Sequence, residues 1–197
     1  RVAAMSSAKA DMYENADGSY TRKVYRSPMN VRAADGSWQP VDATLRTGTD
    51  RRPRAASTGF EVSFAAGTPQ RANLRAEDVP VRAATPAGTD DLVRLGLAPG
   101  VQVAYSLVGA QIDQATLDGA VARYHDMFDG VNLELSSSGS GVKETLVLRS
   151  AQVPTEYVYP LRLTGVSARV TATGSVEFVD SAGAVAATTP VGYLEDA

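Results

Sequence analysis

Along much of this chain apolar residues recur at every second position. Turn-forming residues break that pattern at intervals of roughly 8–12 residues, the spacing of a β-sandwich or barrel. Phe60, Val62 and Phe64 alternate with Glu61 and Ser63, the pattern of a half-buried strand. Tyr20–Tyr25 is rich in β-formers and ends before Pro28. Met29–Arg32 and Trp38–Val41 flank Asp35-Gly36, a hairpin dipeptide whose glycine can take the positive φ of a tight turn. Leu92–Leu97 and Val101–Val108 flank Ala98-Pro99-Gly100, a second tight connection. Further strands are expected at Ala120–Tyr124, Val131–Leu135, Val142–Leu148, Tyr157–Leu163, Val166–Ala172, Val176–Val179 and Val185–Thr188.

No stretch shows capped helical periodicity, and residues 1–12 read as a frayed lead-in. Residues 46–58 read as a polar loop, and residues 66–90 as a long excursion with one short strand near Val79–Val81. The expected fold is all-β: an antiparallel β-sandwich-like assembly of about a dozen strands with little helix. The polar middle permits a division into 1–65 and 90–197. A first part with only about four strands would leave its apolar face uncovered, so one module over 1–197 is the expected organisation.

Composition removes several function classes. The chain has 197 residues, 44% of them hydrophobic and 21% charged, which is ordinary for a globular domain and too apolar for a disordered one. At this length folding buries roughly 70% of the unfolded surface, enough for a core without staples. No apolar run approaches the ~18 residues of a spanning helix. Nineteen basic against 22 acidic residues, net −3, leave no electrostatic footprint for nucleic acid. The one basic knot, Arg51-Arg52-Pro53-Arg54, sits among turn residues and reads as a solvated loop. Cysteine is absent, which excludes disulfides, thiolate zinc sites and cysteine nucleophiles. The chain opens on Arg1 with no apolar signal core, as a processed product or excised piece of a longer chain would.

The candidate chemistry is sparse. His125 is the sole histidine, so any Ser-His-Asp triad must pass through it. Asp126 and Asp129 are near it in sequence, but no Gly-x-Ser-x-Gly elbow occurs, and a partly exposed histidine closing a strand at Tyr124 is the simpler reading. Carboxylate pairs for glycoside hydrolysis could be drawn from Asp126, Asp129, Glu134, Glu144 and Glu177. Glu144 stands out because it shares a strand face with Val142, Leu146 and Leu148, while Lys143 points the other way. A carboxylate on a core-facing side needs a partner, and Arg123, Arg149 or Arg162 on a neighbouring strand is the expected one, making Glu144 a buried charge that fixes register. Neither Asn15–Gly18 nor Asp113–Asp118 has EF-hand spacing, and no nucleotide-binding glycine loop occurs, so no metal or cofactor is expected. Aromatic rings exposed on a sheet could stack on sugars. Trp38, Tyr157 and Tyr159 are the candidates, with Tyr13, Tyr20 and Tyr25 beside them. Core packing is the default for Trp38 in its hairpin.

Six segments, in order, resemble a family: Tyr13–Thr21, Ser27–Arg32, Asp35–Leu45, Phe128–Leu135, Gly141–Leu148 and Pro190–Asp196. Together they look like the β-rich N-terminal region of secreted actinobacterial proteins that carry RHS/YD repeats or DNRLRE-type modules downstream. Those proteins are similar to the wall-associated RHS proteins of other Gram-positive bacteria. The chain departs from that pattern at Asn132, where aspartate is more usual. The resemblance implies a secreted or cell-wall-associated location and a non-catalytic structural or adhesive role. It also implies partners in the downstream domains of the same polypeptide, often a polymorphic toxin used against neighbouring bacteria. The alternatives are a glycan- or cell-wall-binding module using exposed aromatics, and a carboxylate-based hydrolase.

Overall fold

The computed structural model describes residues 1–67 and 91–195. The expected strand near Val79–Val81 lies outside them. Among the described residues the fold is all-β, with 17 strands and one short 3-10 turn at Ala3–Met5. The first hairpin joins β1 (Ala10–Glu14) to β2 (Tyr20–Val24), and the second joins β3 (Asn30–Arg32) to β4 (Trp38–Pro40). Then come β5 (Asp42–Thr47), β6 (Pro53–Ser57), β7 (Glu61–Phe64), β8 (Val93–Ala98) and β9 (Val101–Tyr105). A second group is β10 (Thr116–Asp118), β11 (Val121–Phe128), β12 (Val131–Ser138) and β13 (Gly141–Leu148). Last are β14 (Leu161–Thr164), β15 (Ser167–Val170), β16 (Val176–Val179) and β17 (Val185–Thr189).

Two sheets form the centre. One has six strands in the order β14-β9-β8-β7-β6-β5, and the other has four in the order β10-β11-β12-β13. Every pairing is antiparallel. The six-stranded sheet draws strands from both sides of the polar middle segment, so neither half of the chain owns it. The two sheets share one core: Leu45, Val62, Phe64 and Val93 from the first meet Ala122, Tyr124, Met127, Leu133 and Leu135 from the second. Burying a side chain of this size contributes about 1.5–3 kcal/mol, so strand alternation rather than propensity holds the layers together. Polar links cross the same interface. Tyr124 donates its hydroxyl to the Ala65 carbonyl at 2.7 Å, and the Leu45 amide donates to the Gly119 carbonyl at 2.8 Å.

Both N-terminal hairpins close on the same tripeptide, Asp17-Gly18-Ser19 and Asp35-Gly36-Ser37. In each, the glycine sits at φ 81° and the aspartate accepts the serine amide, at 3.0 and 2.9 Å. The hairpins join each other through backbone bonds from Met29 and Asn30 to the Ala8 carbonyl. The C-terminal meander β15-β16-β17 buries only Phe178.

Several sequence expectations are corrected. Residues 46–58 are not simply a loop, because Pro53–Ser57 form β6. In Arg51-Arg52-Pro53-Arg54, read as a solvated loop, Arg51 and Arg54 are exposed, but Arg52 is 4% exposed and lies along Ser63. The lead-in contains a strand, β1, whose Ala10 and Asp11 are buried. The strand expected over Tyr157–Leu163 begins only at Leu161. The strand expected to end at Tyr124 runs on to Phe128 through a bulge, with Asp126 at φ 49°. The bulge re-phases the side-chain alternation, so Tyr124 and Met127 both point inward although an odd number of positions separates them. Asn132 serves this bend: its side-chain oxygen accepts the Asp126 amide at 3.0 Å.

Tyr124→Phe should lower stability by about 1–3 kcal/mol, since the buried Ala65 carbonyl loses its donor. Val147→Ala, on a 39% exposed residue, should stay within ~0.5 kcal/mol. Urea midpoints compare the two variants, and equal midpoints would show that the hydroxyl does not tie the sheets.

Candidate functional site

Glu144 sits on β13 opposite Leu135, with Val142 and Leu146 packed on the core beside it. Its carboxyl is half-buried and receives two phenols. Tyr105, at the end of β9, donates its hydroxyl to one oxygen at 3.0 Å, and Tyr159 donates to the other. The two tyrosine rings meet edge to face with centroids 5.8 Å apart. The expected arginine partner is a correction. Arg123 bonds Glu134 and Asp118, each at 2.9 Å; Arg149 pairs with Asp126, and Arg162 with Asp91. Glu144 faces the core side of β13, where among the described residues the phenols of Tyr105 and Tyr159 reach it. Burial pushes its pKa up, and the two tyrosine hydroxyls, which pull it down, do not cancel that effect. Burial, then the nearby carboxyl, raises both tyrosines.

The three aromatic candidates occupy different settings. Trp38 is half-buried at the start of β4, with the Arg32 guanidinium 5.1 Å from its ring centre. It borders a groove of about 450 Å³ lined also by Pro28, Asn30, Arg32, Thr58 and Gly139. Tyr159 is turned to Glu144. Tyr157 packs edge to face on Phe128 at 5.6 Å, and its buried hydroxyl has no partner among the described residues. Both tyrosines pack against the core. The structure therefore does not bring Tyr157 and Tyr159 into one platform with Trp38.

Beneath the Trp38 groove lies a polar network absent from the sequence reading. Asp11 accepts from Arg1 at 2.6 Å, Tyr25 at 2.9 Å and the Asn30 amide at 3.0 Å, and Asn30 accepts a second Arg1 nitrogen at 2.6 Å. Burial would raise Asp11, but these donors prevail and hold its carboxyl below the ordinary range. The hydrogen bond to Asp11 pushes Tyr25 up to about 12.

His125 is exposed on β11, and Asp129 is exposed at the turn that follows. Asp126 pairs with Arg149, Glu134 with Arg123 and Glu177 with Arg169. Among the described residues no group of three or more His, Asp or Glu side chains is placed to hold a metal. No helix among them is long and apolar enough to cross a membrane.

The members of a second charged cluster lie on four different strands or their ends, so no local sequence pattern links them. Asp91, just before β8, is buried and accepts Arg94 Nε at 2.6 Å and Arg162 from β14. Arg52 donates to the Asp91 carbonyl at 3.0 Å and to the Ser63 hydroxyl at 3.4 Å. An arginine-rich patch after Gly48 was the only available signal, and local sequence gives no reason to bury it. In comparisons with known proteins, no family model, no curated protein and no solved structure matches this chain.

The raised pKa of Glu144 has a definite sign. A carboxyl with a higher pKa in the folded than in the unfolded chain adds stability that is full below the unfolded value, 4.5, and is lost as pH rises through the folded value. Glu144→Gln keeps a side-chain acceptor and removes the titration. The stability of the parent minus that of the variant should therefore fall as pH rises from about 4 toward neutrality. Thermal melts across that range measure the difference, and a flat or rising curve would count against a buried, proton-holding carboxyl.

Proposed function

We propose that this chain is a non-catalytic structural and adhesive module near the N-terminal end of a large secreted or wall-associated bacterial protein of the RHS type. The observation that carries the non-catalytic part is the state of Glu144. Its two carboxyl oxygens are taken by Tyr105 at the end of β9 and by Tyr159 in the segment before β14, so this core-facing carboxyl acts as a structural tie. Asp126, Glu134 and Glu177 are likewise engaged by arginines. A general acid or nucleophile needs an oxygen that substrate can reach. The setting in a larger extracellular polypeptide is supported by the six ordered segments that resemble RHS-type N-terminal regions. In that setting the partners are the downstream domains of the same polypeptide, and any toxin activity resides there.

A second reading, a glycan-binding module, is favoured by one observation. Trp38 is half-buried beside a groove that also presents Asn30, Arg32 and Thr58. An aromatic edge with neighbouring polar groups can hold a sugar ring.

Two measurements separate these readings from each other and from a hydrolase. Incubated with chromogenic glycosides and intact cell wall, the chain should release no more product than its Glu144→Gln variant. Turnover lost in that variant would overturn the non-catalytic assignment. Emission from the sole tryptophan should stay unchanged when neutral wall oligosaccharides are titrated in. A saturable change would move the assignment to the Trp38 groove.

A further inference from the structure

The outer face of the six-stranded sheet carries a row of arginines set by register. Arg162 pairs with Ala104, Ala104 with Arg94, Arg94 with Ser63, Ser63 with Arg54, and Arg54 with Arg46. The small residues Ala104 and Ser63 alternate with the long ones. Strands lie ~4.8 Å apart, so Arg162, Arg94 and Arg54 stand at intervals of roughly 10 Å across the sheet. Beside this row runs a second one of different chemistry. Gln102 pairs with Thr164, and Glu61 lies across Gly96, where a Cβ would come within 3.1 Å of its carboxylate. The two rows border an open groove of about 390 Å³, within the ~300–1,000 Å³ of small-ligand sites.

Arg52 adds a buried charge beside this row. It is 4% exposed, and its side chain donates to the Ser63 hydroxyl and the Asp91 carbonyl, with no carboxylate partner among the described residues. Burial, then the neighbouring charge of Arg94, lowers its pKa to about 10, which leaves it charged at neutral pH. Its hydrogen-bond acceptors among the described residues are neutral, and the Asp50 charge offsets its burial only in part, so an approaching anion would be favourable. Arg52 lies along Ser63, in the same row as the groove arginines Arg54 and Arg94, so its charge adds to the potential there.

We propose that this groove binds an acidic oligosaccharide, with carboxylates on separate sugar units taken by Arg54 toward one end and Arg162 toward the other, and its hydroxyls by Glu61, Gln102 and Thr164. The guanidinium fork suits a carboxylate. Sugar hydroxyls need acceptors as well as donors, and Glu61, Gln102 and Thr164 supply both. A nucleic acid fits less well. Its phosphates form a continuous line of charge that Glu61 and Asp50 oppose, and none of the described lining residues is aromatic to stack a base. This site is distinct from the Trp38 groove and does not rest on that reading.

Titration calorimetry on the whole chain tests it, with a glucuronic acid oligosaccharide, its neutral glucose counterpart and single-stranded DNA as probes. The expected result is binding of the acidic sugar that weakens with added salt, with no heat from the neutral sugar. Arg54→Gln and Arg162→Gln should each weaken it about tenfold or more, the loss of a hydrogen bond to a charged group. Arg54 is half-exposed and pairs only with Asp50 among the described residues, so its variant decides the matter if Arg162→Gln fails to fold. The proposal is overturned by equal binding of the neutral sugar, by DNA binding as tightly as the acidic sugar, by no binding of the acidic sugar, or by Arg54→Gln binding it unchanged.

Discussion

Each of the two central sheets carries one apolar face, and each is the other's cover. That mutual burial is the condition for everything else in the molecule, because a sheet of four or six strands with an open apolar face does not hold in water. Strand β12 shows the demand in its simplest form: Val131, Leu133 and Leu135 are fully buried and alternate with residues that are not. Strand β11 meets the same demand by breaking its alternation, with a bulge at Asp126 that returns Met127 to the core after Tyr124. The polar links from Tyr124 to Ala65 and from Leu45 to Gly119 then set how the layers sit on each other.

Three buried or half-buried carboxyls show how the fold accommodates charge, and the outcomes differ for a physical reason. Asp11 receives a guanidinium, an amide and a phenol, and the donors outweigh burial. Asp91 is held by two guanidinia. Glu144 receives phenols alone, and burial prevails. Asp11 gains the full positive charge of Arg1 as well as neutral donors, whereas Glu144 is held by neutral phenols whose hydrogen bonds do not offset its burial. Burial thus favours the protonated form of Glu144, and both of its oxygens are occupied by tyrosines.

The two grooves proposed for recognition lie on different parts of the molecule. The Trp38 groove belongs to the N-terminal hairpins, stiffened from below by Arg1, Asp11 and Asn30. The arginine row belongs to the outer face of the six-stranded sheet, whose inner face is core. The interior carboxyls Asp11, Asp91 and Glu144 are tied by hydrogen bonds, while Arg54, Arg94 and Arg162 line the outer face.

Much of the architecture was readable in the residues. The hairpin at Asp35-Gly36, the turn at Gly100 and the strands β7, β12 and β13 follow from alternation and from the φ that glycine permits, both of which are local. Strands β1, β5, β6 and β10 were less legible, being short or rich in alanine and polar residues and supported chiefly by their neighbours. Glu144 could be recognised as a core-facing carboxyl from its register with Val142 and Leu146, but its tyrosine partners could not, since Tyr105 is 39 residues away and Tyr159 is 15. The burial of Arg52 was hidden for the same reason. Alternation states which face a side chain takes. Sheet order, which long-range packing alone selects, states what it finds there, and that is where Ser63 and Asp91 close over an arginine that looked solvated.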